Sequence, residues 1–370
     1  MRLVESEFKR RATEVNDFLA ERGADVALLT PSANFFYLSG ANCEMRERLV
    51  LLVMSRDRDP ALIVPSFEAP TVSSSTWIRD VRGWEDASGP WDLVREVLET
   101  PRRSIRACFD DNMPLWVYRN LLERNPGIED VGSISQVLSL MRLHKSESEL
   151  AAMRRAGHVI DEAISNAVHN IDPGISEREL SHAIQTEIVR LDATPTFSIV
   201  QFGEDSAQPH AVPSGRRLRR GDTVLLDCGC SVDGYNTDMT RTFFYGEADD
   251  RHRSVYSLVL RAQETVLSRL SAGLTCENAD SLARTVISSA GYGSYFTHRL
   301  GHGVGLEVHE PPYLVSGNSM SLESGMTHSV EPGVYLPGQF GVRIEDLVCV
   351  RDNHCELLTF TSRDLTVLGR

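Results

Sequence analysis

Residues 5–22 place Phe8, Ala12, Val15, Phe18 and Leu19 at helical spacing, so the chain is expected to open with a helix that has one apolar face. Short apolar runs near residues 25–30 (DVALLT), 48–54 (RLVLLVM) and 60–66 (PALIVPS) read as strands. Helices alternating with such strands predict an α/β domain over residues 1–135. Within it, FFYLSG (35–40) reads as a buried strand closing on Gly40.

The pattern changes near residue 145. Ser146 with Glu149 forms a capping box, and the helix behind it turns Leu150, Met153, Gly157, Ile160, Ile164 and Ala167 to one face. Ser176 with Glu179 makes a second box, and Thr275 is placed to cap a further helix. Antiparallel hairpins separate these helices. Residues 145–370 therefore predict an α+β fold with helices packed on a curved sheet.

Composition sharpens this picture only in part. With 370 residues and 41% hydrophobic content the chain can bury two cores. A net charge of −14, from 38 basic and 52 acidic residues, argues against nucleic acid and anionic membranes as partners. Residues 1–15 are charged and amphipathic rather than signal-like, and no apolar run approaches membrane-spanning length. Seven cysteines without a CxxC pair predict a reduced, cytoplasmic setting rather than a disulfide framework.

Candidate chemistry begins in LLDCGCSVDGYNTDMTRTFF. Two strand-like runs, 223–228 and 239–245, flank Asp233-Gly234, a strong signal for a two-residue hairpin loop. That loop sets Asp227 opposite Thr240 and Asp238 opposite Gly229, all on one face. Two carboxylates side by side repel, so the hairpin calls for a cation or a shared proton between them. Cys228 and Cys230 fall on the opposite face and read as core. A second strand–turn–strand, residues 327–350, holds Glu331 and Glu345 each seven positions from Gly338, which sets them opposite each other. Arg343 alternates onto the same face as Glu345 and is placed to hold a carboxylate.

Between the hairpins lies HRLGHGVGLEVHEPP, with His298, His302 and His309. Glycines on both sides of His302 leave space for its imidazole to approach a site closely. His328, in GMTHSVEPG, reads as a packed residue rather than a ligand. Asp227, Asp238, His302, Glu331 and Glu345 together supply four carboxylates and one imidazole, the donor balance of a two-metal hydrolytic site. Two divalent ions are expected, and manganese, cobalt, zinc or Fe(II) are all chemically reasonable.

These five residues in order, with the flanks GYNTDMTRT, HRLGHGVGLEVHE, VEPGVY and GVRIED, resemble the M24 metallopeptidases, the pita-bread superfamily of creatinase and methionine aminopeptidase. Within it the chain is most similar to the proline-specific branch, prolidase (Xaa-Pro dipeptidase) and aminopeptidase P. The resemblance is strong over residues 145–370 and looser before them. It implies a pita-bread catalytic domain behind a smaller creatinase-like domain. It also implies cleavage of the Xaa-Pro bond of dipeptides or short peptides by a water held between the two metals, and a homodimer.

The resemblance further implies roles. Asp227 would hold one metal through both oxygens, Asp238 and Glu345 would bridge the pair, and His302 with Glu331 would complete the second ion's ligands. Glu331 would also shuttle the proton of the attacking water. His309 is expected to bond the transition state, and His210 and His298 to serve the proline side. Some prolidases carry an arginine shortly after the motif of His309; here Glu310-Pro311-Pro312-Tyr313 follows, which leaves dipeptidase and aminopeptidase P both open. Two other readings are a hydrolase of another small C–N substrate, as in creatinase or ectoine hydrolase, and a catalytically silent binding module. The filled ligand positions argue against the silent module.

Overall fold

The computed structural model describes residues 5–99, 104–169 and 171–369. The chain divides into two compact units, Arg2–Met141 and Arg142–Arg370.

The N-terminal unit is a six-stranded mixed sheet in the order Asp80–Trp84, Ala61–Pro65, Leu51–Ser55, Val26–Leu29, Ile105–Phe109, Ile128–Ser133. Its central strands are buried on both faces, as helix-covered strands must be. The opening helix runs Glu5–Arg22 and buries Phe8, Ala12, Val15 and Leu19. FFYLSG is not a strand. It belongs to a helix, Ala33–Ser39, capped by the Ser32 hydroxyl accepting from Phe35 N–H and ended by Gly40 at φ 70°. The apolar run suits either element by composition; the serine before it and the left-handed glycine after it decide for the helix.

The C-terminal unit is built twice over from two helices laid on a sheet. Helices Glu147–His169 and Glu177–Arg190 cover a sheet ordered Val367–Leu368, Met239–Tyr245, Thr223–Val232, Thr194–Phe202, with Tyr235–Asn236 paired beside it. Ile160, Ile164, Leu180, Ile184 and Val224 share one core there with Cys228 and Cys230, so both thiols are packing residues. Helices Asp250–Leu267 and Cys276–Ser289 cover a second sheet ordered Glu310–Leu314, Gly301–Gly303, Thr327–Val330, Asp346–Val350, Cys355–Leu357. Both predicted capping boxes form, as does the Thr275 cap. Among the described residues no helix is long and apolar enough to cross a membrane. All seven cysteines are free.

Both acidic hairpins keep the predicted register, yet each is interrupted where its acids lie. Asp227 faces Thr240 in a continuous ladder, and Asp233 and Gly234 take φ 52° and 85° in the loop. The partner strand breaks at Thr237 and Asp238, with pairing resumed only at Asn236. In the second hairpin Val330 pairs with Asp346 and Gly333 with Arg343, while Glu331 and Glu345 lie in the gap between two separate ladders. Their N–H groups turn elsewhere: Glu331 to Leu300 O at 2.9 Å and Glu345 to Thr240 O at 3.1 Å. Three of the four acids thus sit where the backbone has left its own ladder.

Candidate metal centre

All five residues predicted as ligands line one cavity of about 640 Å³ in the C-terminal unit, as do His210, His298, His309 and Arg343. Phe197, Ile199 and Val308 supply its apolar wall, and Arg299 a further cation. Asp238, His302 and Glu345 each offer one ligand atom within 4.8 Å of the others, all three side chains buried. His302 Nε2 lies 3.3 Å from Glu331 Oε1 and 3.6 Å from Asp238 Oδ2. Its Nδ1 faces Gly303 O at 3.2 Å, which makes Nδ1 the donor and leaves the Nε2 lone pair for a cation.

The glycines beside His302 do a different job from the one expected. A Cβ at Gly301 would meet Ser329 O at 2.1 Å, and one at Gly303 would meet Pro311 O at 2.2 Å. They let neighbouring strands close on the short strand that carries His302.

Arg343 organises the acids. Its Nη2 donates to Asp227 Oδ2 at 2.6 Å, its Nε to Thr240 Oγ1 at 2.9 Å and its Nη1 to Tyr335 Oη at 2.8 Å. Thr240 Oγ1 in turn donates a hydrogen bond to Glu345 Oε2 at 2.7 Å. The arginine therefore binds Asp227 directly and reaches Glu345 only through Thr240. Asp227 Oδ1 and Glu345 Oε1 are buried with no hydrogen-bond partner among the described residues. Buried carboxylate oxygens without partners are costly, and a cation is what they lack.

Electrostatics among the protein groups separates the acids. Burial, then repulsion from Glu345 and Asp227, pushes Asp238 well above the usual carboxylate range; burial and the charge of Glu331 do the same to Glu345. Burial also raises Asp227, against the pull of Arg343. Glu331 goes the other way: burial would raise it, but the hydrogen bond and charge of His302 hold it at about 2. A set of neighbouring acids that cannot all ionise together suits divalent cations, which lower every one of these values at once. The donor set fits them.

The three remaining histidines differ. His298 has both ring nitrogens engaged, Nδ1 with Arg299 O at 2.7 Å and Nε2 with Tyr335 Oη at 2.8 Å. A carbonyl can only accept, so Nδ1 carries the proton and Nε2 accepts from Tyr335. His309 stacks near His302, with ring centroids 4.2 Å apart, and burial followed by the charge of His302 lowers it to about 4. Among the described residues neither His309 nor His210 has a protein hydrogen-bond partner for its ring. His328 is fully buried, Nδ1 on Ser329 O at 2.9 Å, and it does not line the cavity. Sequence reasoning overlooked Tyr335, which joins His298 to Arg343. Its place four residues after Glu331 in VEPGVY carries no chemical signal by itself.

Comparison with known proteins agrees with this geometry. Residues 151–352 match the model of metallopeptidase family M24, and residues 11–144 that of the creatinase/prolidase N-terminal domain. The chain belongs to metallopeptidase family M24. The resemblance drawn from ligand order holds, and so does the expected architecture of a creatinase-like domain before a pita-bread domain. The family is one of divalent-metal peptidases acting on peptides. An Xaa-Pro dipeptidase of Lactobacillus delbrueckii is 34% identical over 96% of this chain and 98% of its own length. A prolidase crystal structure from Thermococcus sibiricus superposes with TM-score 0.91 at 34% identity, covering 98% of this chain and 99% of that one. An X-Pro aminopeptidase from Thermotoga maritima gives TM-score 0.87 at 30% identity, covering 96% and 99%.

Proposed function

We propose that the chain is a dinuclear metal-dependent exopeptidase that hydrolyses the bond between a residue and a following proline, with dipeptides as its first substrates. One observation carries the reading: buried Asp238, His302 and Glu345 converge within 4.8 Å, beside Asp227 and Glu345 oxygens that no hydrogen-bond donor among the described residues satisfies. Near-full-length similarity to an Xaa-Pro dipeptidase supports the substrate.

Asp227, Asp238, His302, Glu331 and Glu345 would hold two ions, manganese first. Such ions supply the positive charge that acidifies a neighbouring water and polarises a carbonyl oxygen. Glu331, the acid most readily ionised here, takes the water's proton and passes it on. His309, whose ring has no hydrogen-bond partner among the described residues, donates to the developing oxyanion. His210 serves the proline nitrogen, which leaves better once protonated. His298 acts through Tyr335 on Arg343. Phe197, Ile199 and Val308 offer the apolar surface a pyrrolidine ring needs. A cytoplasmic homodimer is the assembly we assign, the location supported by the seven unpaired thiols.

Turnover of Ala-Pro, Ala-Pro-Ala and Ala-Ala, each with and without manganese, tests this. Manganese-dependent cleavage of Ala-Pro is expected. Preference for Ala-Pro-Ala would make the enzyme an aminopeptidase P, and cleavage of none would overturn the peptidase reading.

A further inference from the structure

The turn that carries His210 has one backbone bond of its own, Ala211 N–H to Gln208 O at 3.1 Å. Gln208 N–H also donates to Asp205 O at 3.0 Å, and the other contacts that hold the turn come from side chains rooted in the wall of the cavity. Gln201, 1% exposed on the strand Thr194–Phe202, directs its amide nitrogen at Gln208 O (2.6 Å) and Ala211 O (3.1 Å), one on either side of His210. Arg343 Nη1 reaches the carbonyl between them, Pro209 O, at 3.4 Å. Gln201 Oε1 is buried and has no partner among the described residues. An unpaired buried acceptor is unfavourable, and a flipped amide would be worse, with its oxygen set against two carbonyls. The turn alone therefore orients this amide, and the amide holds the turn.

We infer that Gln201 is a positioning residue for His210 and sets where that imidazole stands at the cavity. The inference rests on the reading of His210 as the group that serves the proline side of the substrate. The chemistry at position 201 is narrow. Two donors aimed at two carbonyls require a primary amide; methionine fills the same volume with no donor, and asparagine keeps the amide one methylene short.

The test is a double-mutant cycle of Gln201→Met and His210→Ala in the full chain loaded with manganese, read on Ala-Pro. Losing two hydrogen bonds to the turn is expected to lower kcat/KM by about tenfold, mainly in kcat. The same change is expected to cost nothing further once His210 is alanine. A readout without catalysis accompanies it: in the metal-free chain the Cε1–H signal of His210, assigned by its loss in His210→Ala, shifts and broadens in Gln201→Met. Thermal unfolding checks each fold, and Gln201→Asn takes the place of a methionine variant that does not fold. Equal losses in both backgrounds, or full activity with an unmoved His210 signal, overturn the inference. A His210→Ala single mutant as active as the parent overturns the reading of His210 beneath it, a failure visible without any change at Gln201.

Discussion

Arg343 and Asp227 are joined by a charge-assisted hydrogen bond of 2.6 Å that occupies one carboxylate oxygen and leaves the other, Oδ1, without a partner among the described residues. Asp227 lines the cavity, so the pairing fixes a carboxylate at its wall. It also ties the ligand to Thr240 and Tyr335 through a single planar guanidinium.

Arg343→Lys keeps the charge and loses the fork. A single ammonium nitrogen cannot span Asp227, Thr240 and Tyr335 as the guanidinium does, so manganese affinity and kcat/KM are each expected to fall by roughly 10- to 100-fold. Titration calorimetry with manganese measures the first and Ala-Pro turnover the second; unchanged values for both would show that Arg343 contributes charge alone.

Asp238→Asn is expected to split metal-free from metal-loaded stability. In the metal-free chain burial and neighbouring acids raise Asp227, Asp238 and Glu345 above their ordinary values. An acid whose folded value is raised stabilises fully below its unfolded value and loses that contribution as pH rises through the folded one. Metal-free protein should therefore become less stable as pH climbs above the ordinary carboxylate range. At pH 7 the asparagine variant should melt higher than metal-free parent, by about 2–4 °C for each kcal/mol relieved. Adding manganese should stabilise the parent strongly and the variant little, and turnover should be lost. Melting curves in chelator and in manganese provide the check.

His328 should make the fold sensitive to mild acid. Burial lowers it to about 4 from an ordinary value of 6.5, so it stays neutral in the folded chain while the unfolded chain takes up a proton. Stability from this residue is complete above pH 6.5 and is lost as pH falls toward 4. The slope is about 1.4 kcal/mol per pH unit in that window. His328→Leu removes the slope, so the parent's unfolding energy should fall relative to the variant's as pH drops from 7 to 5. A constant difference would contradict the assignment.

Gly157→Ala tests packing against propensity. Alanine favours a helix by about 1 kcal/mol over glycine. At Gly157, however, the added Cβ would stand 1.8 Å from Leu358 O, so backbone must move. A net destabilisation of about 1–3 kcal/mol is expected, whereas Ser165→Ala, on the exposed face of the same helix, should change stability by no more than about 0.5 kcal/mol. Urea unfolding of the two variants separates the effects.

Much of this site could be read locally. The Asp233-Gly234 turn alone pairs Asp227 with Thr240, and counting from Gly338 sets Glu331 against Glu345, because a tight loop leaves a hairpin one register. The break in the second ladder could not be read, since there Glu331 N–H is drawn to Leu300 O and Glu345 N–H to Thr240 O, partners 31 and 105 positions away. FFYLSG misled because its aromatic run suits a strand and its caps, one residue each, outweigh that run. His298 was expected at the substrate, and the structure engages both its nitrogens within the protein.

What the sequence determined by itself is the donor set and the register that aligns it: residue types are covalent facts, and hairpin pairing follows from turns a few residues long. Tertiary structure decided which oxygens remain unpaired, that Arg343 holds Asp227 rather than Glu345, and that Gln201 grips the turn of His210. Each of those depends on groups from separate strands meeting in a buried space, where an unsatisfied polar atom is costly and the partner that satisfies it is chosen by proximity rather than by sequence spacing.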